Sequence, residues 1–261
     1  MTYSVAIDLN NENNPQTQIV NKIPKYANVL ELGCGRGDMS QVLKQRKSAR
    51  VIGIESNLSA ARNAENICDY VFMEDLDDSH SLDVLQFEKF DTITLIDVLE
   101  HLRNPIEVLQ RLKPLLLDEG RLILSVPNIA HASRRLELLC GSFNNTAQQA
   151  GQHRYCAEYF YTSESIQALL REAGYTVHEM DYTWHDLSDE AIEGYLKQAG
   201  LAVSDAALDF FHCNENAAYE FIISASPCHH NALALPVTRQ LKPKPVELKK
   251  NNQSDYLQGT T

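Results

Sequence analysis

A glycine-rich turn near the start of the chain constrains the fold more than any other feature. Residues 29–38 read Val-Leu-Glu-Leu-Gly-Cys-Gly-Arg-Gly-Asp, an apolar strand that runs directly into closely spaced glycines and then into a helical pattern. Glycines at such a point allow a sharp bend and let a ligand lie against the main chain, where a Cβ atom would clash. The turn therefore predicts a ligand site at the end of the first strand of an α/β sheet.

Apolar runs of strand length alternate with helical periods over residues 28–125, which is the pattern of βαβ units around a parallel sheet. We therefore predict a doubly wound, Rossmann-like α/β sheet with helices on both faces. The strands are expected at 28–32, 50–55, 70–73, 90–97, 120–127, 175–180 and 219–224.

The predicted domain spans residues 28–226, after an N-terminal extension of residues 1–27. Residues 140–160 are polar and weakly periodic, so we interpret them as a lid inserted after the fifth strand, with a surface excursion as the alternative. Residues 227–261 are rich in Pro, Lys, Asn and Gln, and we expect them to form a disordered tail.

Charge and composition limit the classes of binding partner that we expect. The formal net charge is −12, and the basic residues are scattered until the tail, so we expect no nucleic-acid partner and favour a small-molecule or glycan substrate. No apolar run approaches the roughly 18 residues that a membrane-spanning helix needs. The chain starts without an apolar signal core and has no Cys-x-x-Cys pair, which predicts a cytoplasmic protein. Peripheral membrane contact through the Lys-rich residues 242–250 stays open.

The spacing within the turn favours a ligand without phosphate. Gly33, Gly35 and Gly37 form Gly-x-Gly-x-Gly, whereas dinucleotide sites usually have Gly-x-Gly-x-x-Gly. Asp38 stands in the place of the third glycine, and a carboxylate near the helix start repels a pyrophosphate. Glu31, just before the turn, is placed to orient a cationic amino-acid head group.

Two further acids follow the second and third strands. Glu55 stands about 20 residues after the turn, where α/β nucleoside sites place a carboxylate on the ribose hydroxyls. Asp75 is suited to accept from an adenine amino group, and the apolar Leu76 is suited to cover the ring. A solvated strand end and a solvated acidic loop are the respective alternatives.

The fourth strand ends in Asp97, with Glu100 and His101 close behind. Ligands in open α/β sheets bind beyond the carboxyl ends of the strands, so these side chains are expected to face the ligand and its reactive end. His101 could instead pack at the start of a helix.

Together these residues resemble the motif set of class I S-adenosylmethionine methyltransferases. The resemblance lies in residues 31–37, in Glu55 and Asp75, and in residues 97–102, and it spans roughly residues 28–225. It implies a seven-stranded sheet with the last strand antiparallel, S-adenosyl-L-methionine as the cofactor, the turn glycines against the methionine part and Glu55 on the ribose. The complete predicted set of cofactor-binding residues is Glu31, Gly33, Cys34, Gly35, Gly37, Glu55, Ser56, Asp75, Leu76, Asp97, Val98 and Glu100.

A closer resemblance concerns residues 125–131, 138–143 and 160–162, which are similar to methyltransferases found beside or fused to bacterial glycosyltransferases. Ubiquinone-pathway O-methyltransferases share the Leu-Glu-His of residues 99–101. The first group usually has a His before its aromatic pair, where this chain has Ala157 and Glu158. The resemblance implies methylation of a hydroxyl oxygen on a small-molecule or glycan acceptor, with polysaccharide or sugar biosynthesis as one setting.

A hydroxyl acceptor must lose a proton, and a His with a pKa near the working pH is the usual base. We hypothesise that His131 or His153 serves as this base and that His101 lies closer to the cofactor. No metal site is expected, because each close grouping of His and Cys residues in the sequence lacks a second pair of metal ligands at a suitable spacing. Two alternatives stay open, a non-catalytic cofactor-binding module in a biosynthetic complex and an NAD-dependent oxidoreductase.

Overall fold

The computed structural model describes residues 7–143 and 157–228. Its strands are β1 Asn28–Leu32, β2 Arg50–Ile54, β3 Tyr70–Phe72, β4 Phe90–Ile96, β5 Leu116–Pro127, β6 Tyr175–Trp184 and β7 Ala218–Pro227. They form one seven-stranded sheet in the order β3-β2-β1-β4-β5-β7-β6. The last strand runs antiparallel to both of its neighbours, whereas the pairs from β3 to β5 are parallel. The predicted doubly wound sheet with an antiparallel last strand is confirmed.

Capping residues explain where several of the helices begin. Their bounds are α1 Pro15–Lys22, α2 Asp38–Lys47, α3 Leu58–Ala64, α4 Pro105–Leu112, α5 Ala132–Leu139, α6 Ser163–Glu172, α7 Asp189–Gln198, α8 Asp205–His212 and α9 Asn214–Ala217. Asn104 caps α4 by accepting a hydrogen bond from the Glu107 backbone N–H, and Pro105 occupies the first helical position, where no N–H is needed. Thr162 and Ser165 form a reciprocal capping box that fixes the start of α6.

Helices cover both faces of the sheet. In β1, Leu30 and Leu32 enter a core shared with α4 and α6. Val29 points the other way, into a second core shared with α1 and α2. Because successive side chains of a strand point to opposite faces, this alternation needs an apolar layer on each side. The predicted helices on both faces are confirmed.

Part of the predicted N-terminal extension packs as firmly as the domain that follows it. In α1 and directly after it, Ile19, Val20 and Ile23 are buried, and the helix contacts β5 and β7. Ahead of α1, the Asn13 amide donates to the Trp184 carbonyl at 2.8 Å, and its oxygen accepts from the Trp184 N–H at 2.7 Å. Each buried aliphatic side chain contributes about 1.5–3 kcal/mol, so this segment stabilises the far side of the sheet.

The predicted lid is described only at its two ends. The backbone N–H groups of Glu158 and Tyr159 both donate to the Glu100 carbonyl, at 2.7 and 3.1 Å. The Tyr161 carbonyl accepts from the Ile129 N–H at 2.9 Å. Residues 158–161 therefore cross the carboxyl edge of β4 and β5. The rest of the lid and the predicted tail beyond residue 228 lie outside the described residues, so both interpretations stay predictions.

None of the helices within the described ranges is long and apolar enough to cross a membrane.

Candidate functional site

A cavity of about 370 Å³ opens at the carboxyl ends of four neighbouring strands. The chain order reverses between β1 and β4, which is where ligands bind in open α/β sheets. The volume of the cavity lies within the range of small-molecule binding sites. The lining residues are Gly33, Ile54, Glu55, Ser56, Glu74, Asp75, Leu76, Asp77, Ile96, Asp97, Val98, His101, Leu102 and Arg103.

The glycine turn reaches the pocket at Gly33, which is part of the lining. Gly33, Gly35 and Gly37 have φ values of +67°, +56° and +87°, a region that residues with a Cβ rarely adopt. A Cβ on Gly33 would stand 2.6 Å from the Val98 Cγ2 atom, so close packing also requires this glycine. A Cβ on Gly35 would meet no protein atom within 4 Å. The main chain at Gly35 is thus open on the side where a ligand can approach.

Glu55 joins the turn to the pocket. One carboxylate oxygen accepts from the Gly35 N–H at 2.8 Å, and the other accepts from the Asn57 N–H at 2.8 Å. A carboxylate offers about four lone-pair positions, so both oxygens can still accept from ligand hydroxyls. Ser56 lines the pocket beside it. The structure thus brings both predicted residues to the cavity and gives Glu55 a second role, in shaping the turn.

Acids after β3 border the other end of the pocket. Leu76 is buried, whereas Asp75 is exposed, and an Asp75 oxygen accepts from the Asp77 N–H at 3.0 Å. Asp77 accepts from the Arg103 N–H at 2.9 Å and from the Arg103 Nε at 3.3 Å. This pair ties the segment after β3 to the segment after β4. Sequence reasoning missed it, because a run of four acids gives no sign of a partner 26 residues away.

Asp97 follows β4 in an unusual backbone conformation. Its φ is +51°, which costs a residue with a side chain about 1–3 kcal/mol. The Ser125 hydroxyl holds it, accepting from the Asp97 N–H at 3.2 Å and donating to the carboxylate at 3.1 Å. Asp97 is exposed in the pocket wall, and desolvation of its carboxyl group by the surrounding protein raises its pKa above the usual range. Strain at a pocket wall is typical of functional positions.

Two predicted cofactor residues lie in the core beneath the turn. Glu31 is only 4% exposed and accepts a hydrogen bond from the Ser40 hydroxyl. Burial raises the pKa of Glu31 to about 8, so it is largely protonated at neutral pH. Glu31 is thus a buried side chain outside the pocket lining, and its role toward a cationic head group stays a prediction. Cys34 is buried as well, with its sulfur packed against Gly53.

Glu100 and His101 lie side by side but in different surroundings. Glu100 is 5% exposed, and burial raises its pKa to about 8. His101 lines the pocket, and its Nε2 atom is 3.9 Å from a Glu100 carboxylate oxygen. The two residues were predicted together, and the structure places only His101 at the cavity surface.

His131 is buried and caps a helix. It is 1% exposed, and its Nε2 atom donates to the His185 carbonyl at 2.8 Å, while Nδ1 accepts from the Ser133 N–H at 3.2 Å. This arrangement caps α5 and occupies both ring nitrogens in the neutral tautomer that fits these partners. Burial lowers the pKa of His131. The interpretation of His131 as a base is corrected, since neither nitrogen is available and the residue does not line the pocket. His153 lies outside the described residues.

Glu220, on β7, is a buried acid beside Asp97 that sequence reasoning missed. The antiparallel pairing of β7 with β5 brings Glu220 close to Asp97, and no local sequence pattern predicts that contact. Over residues 7–143 and 157–228, no group of three or more His, Cys, Asp or Glu side chains could hold a metal ion.

The strand order, the pocket at its reversal point and the acids after three successive strands define a nucleoside-binding protein of the Rossmann-like class. A family model described as a methyltransferase domain matches residues 12–180. The chain therefore belongs to the methyltransferase domain family.

Named relatives agree with this membership. A ubiquinone biosynthesis O-methyltransferase of Haemophilus ducreyi is 33% identical over 172 residues, covering 62% of this chain and 71% of the relative. One from Glaesserella parasuis is 32% identical over 153 residues, covering 55% of this chain. This chain spans 63% of the length of that second relative.

Solved structures share the fold. An S-adenosylmethionine-dependent methyltransferase of Archaeoglobus fulgidus has a TM-score of 0.55 at 16% identity, covering 80% of this chain and 91% of its own. A magnesium protoporphyrin IX methyltransferase of Synechocystis, solved with bound S-adenosylhomocysteine, has a TM-score of 0.52 at 18% identity and 82% coverage of both chains. The predicted class I fold and the predicted methyltransferase family are confirmed.

Proposed function

We propose that this chain transfers the methyl group of S-adenosylmethionine to a hydroxyl oxygen of a small-molecule acceptor. One observation carries the proposal: a single pocket runs from the acids after β3, past Glu55 and the start of the turn at Gly33, to Asp97 and His101. This arrangement suits a nucleoside at one end and a reactive centre at the other.

The residues present fit the cofactor. Glu55 keeps acceptor capacity for ribose hydroxyls, and Asp75 with Leu76 offers an acceptor and an apolar surface for a base. The space beside Gly35, which a Cβ would fill, admits the amino-acid part against the main chain. When bound, the cofactor supplies a methyl carbon on a positively charged sulfur.

The protein contributes positioning and a place for the departing proton. Holding an acceptor oxygen in line with the reacting carbon can lower the barrier by about 7–11 kcal/mol. His101 is the candidate general base, because it is the one predicted His that lines the pocket among the described residues. A positioned base contributes about 10²- to 10⁴-fold.

The named relatives favour a hydroxylated ring compound of the kind met in ubiquinone biosynthesis over a glycan. The glycan setting implied by residues 125–131 has no counterpart among these relatives. We therefore place the chain with the small-molecule O-methyltransferases. Phenolic hydroxyls suit a His base, since their pKa lies much closer to neutrality than that of a sugar hydroxyl.

The test is a transfer assay with isotopically labelled S-adenosylmethionine. A panel of phenolic ring compounds and sugar nucleotides is incubated with the protein, and mass spectrometry follows the labelled product and S-adenosylhomocysteine. We expect transfer to a phenolic hydroxyl, with the turnover of His101→Ala reduced at least about 100-fold.

Gly200→Ala is the matched control, because Gly200 lies outside the pocket lining with open space around it. Cofactor binding without transfer to any acceptor in the panel would contradict the proposal and favour the non-catalytic alternative. Transfer confined to sugar nucleotides would overturn the choice of acceptor.

A further inference from the structure

Three carboxyl groups meet at the back of the pocket, and two of them, Glu100 and Glu220, are buried, whereas Asp97 is exposed in the pocket wall. Asp97 stands directly after β4 and Glu100 in the short turn Leu99–His101. The third, Glu220, comes from β7, where it pairs in register with Pro127 of β5. Glu220 is 7% exposed, and one of its oxygens has no hydrogen-bond partner among the described residues.

Glu220 is in direct contact with the pocket wall through Asp97. The side chains of Asp97 and Glu220 lie within hydrogen-bonding reach of each other, beside the Ser125 hydroxyl that donates to Asp97. Two ionised carboxylates cannot form a hydrogen bond, because both are acceptors and their charges repel. A hydrogen bond between Asp97 and Glu220 therefore requires one shared proton.

The surroundings assign that proton to Glu220. Desolvation raises the pKa of Asp97, and its contacts with Ser125, Glu220 and His101 partly offset that rise, whereas the contact with Asp97 raises the pKa of Glu220 further. Glu100 lies on the side of β4 and, once it is ionised, further raises the pKa of Glu220, whereas the register partner on β6 is the uncharged Thr183. Burial is the largest cause, and the pKa of Glu220 lies at about 8.

We propose that Glu220 is a positioning residue of the methyl-transfer site, which as a neutral acid donates a hydrogen bond to Asp97 and holds the Asp97 carboxylate in the pocket wall. The Asp97 backbone is strained, with a φ of +51°, so its geometry depends on such side-chain restraints. Ionised Glu220 repels Asp97 and removes the restraint. The inference rests on the proposed function for the ligand that Asp97 faces.

Calorimetry with S-adenosylhomocysteine at pH 7 and pH 9 tests whether binding weakens when Glu220 ionises. With a pKa of about 8, roughly nine-tenths of Glu220 is protonated at pH 7 and one-tenth at pH 9. If only the protonated form holds the site, the wild-type Kd rises about tenfold between these pH values. Glu220→Gln still donates to Asp97 and cannot ionise, so we expect its Kd to lack that rise. Glu220→Ala lacks the donor and should bind more weakly at both pH values.

Glu119→Gln on β5 is the matched control, because Glu119 is an exposed acid of the same sheet outside the pocket lining. It should repeat the wild-type pH dependence. A tenfold rise that persists in Glu220→Gln, or an unchanged Kd of Glu220→Ala at pH 7, would overturn the proposal.

Urea unfolding of the wild type and Glu220→Gln between pH 5 and pH 9 gives a readout that needs no ligand. A raised pKa in the folded state means that wild-type stability is lost, relative to the variant, as the pH rises towards 8. Parallel stability curves would overturn the shared proton. Absence of S-adenosylhomocysteine binding by the wild type, with divergent curves, would refute the proposed function and support the shared proton.

Discussion

Replacing Gly35 by Ala separates ligand contact from backbone strain. Gly35 and Gly200 have positive φ values of +56° and +73°, and a Cβ on either would meet no protein atom within 4 Å. Adopting the left-handed conformation costs Ala about 1–2 kcal/mol, and the loss of unfolded-state entropy offsets about 0.4–1 kcal/mol of that. Both substitutions are therefore expected to destabilise the fold by a similar amount, about 1 kcal/mol.

The two variants should differ in binding. Gly35 lies two residues after the pocket-lining Gly33, and its N–H donates to the pocket-lining Glu55, whereas Gly200 follows α7 and its N–H donates to the Lys197 carbonyl. A methyl group at residue 35 occupies the space where the cofactor approaches the main chain. We expect the Kd for S-adenosylhomocysteine to rise at least tenfold in Gly35→Ala, about 1.4 kcal/mol, and to stay unchanged in Gly200→Ala.

Urea unfolding measures the first effect and isothermal titration calorimetry the second. Equal affinities of the wild type and Gly35→Ala would refute the reasoning, since the open backbone would then face no ligand. An equal loss of affinity in Gly200→Ala would show that global destabilisation, not contact, weakens binding.

Three further outcomes are expected. Wild-type stability should fall as the pH rises from about 4.5 to about 8, because folded Glu31, with a pKa of about 8, stays protonated while the unfolded chain ionises; urea unfolding of Glu31→Gln should show a flatter profile, and an identical one would contradict this. Glu55→Ala should weaken S-adenosylhomocysteine binding at least tenfold by calorimetry, because both turn contacts are lost; unchanged affinity would be incompatible with a ribose site. His131→Ala should lower the unfolding free energy by about 0.5–2 kcal/mol through loss of the α5 cap; undiminished stability in thermal unfolding would exclude that role.

The sheet could be predicted because its local signals are strong. Asn28–Leu32 is an uninterrupted buried strand followed by glycines, and the structure has it at the predicted residues. β5 and β6 extend beyond the predicted bounds, since polar residues such as Asp118 and Asp181 interrupt the apolar runs. Helix α1 was not foreseen, because its sequence is mostly polar and few apolar residues mark its buried side.

Some residues of the candidate site could also be predicted from the sequence, and others could not. Residues after strand ends, such as Glu55 and Asp97, could be placed at the pocket because parallel strands share one carboxyl edge. The position of Glu31 could not, since a strand buried on both faces does not reveal which acid points into a core. Glu220 lies more than 100 residues after Asp97 in the sequence, and only the antiparallel pairing of β7 with β5 brings it near, which no local pattern encodes.

A crystal structure of the protein soaked with S-adenosylhomocysteine tests the central claim most directly. We expect the nucleoside in the pocket between the segments after β1 and β4, with ribose hydroxyls about 2.5–3.0 Å from the Glu55 carboxylate and the amino-acid part along the main chain at Gly35. Density for the compound elsewhere on the protein, or a ribose without contact to Glu55, would contradict that claim.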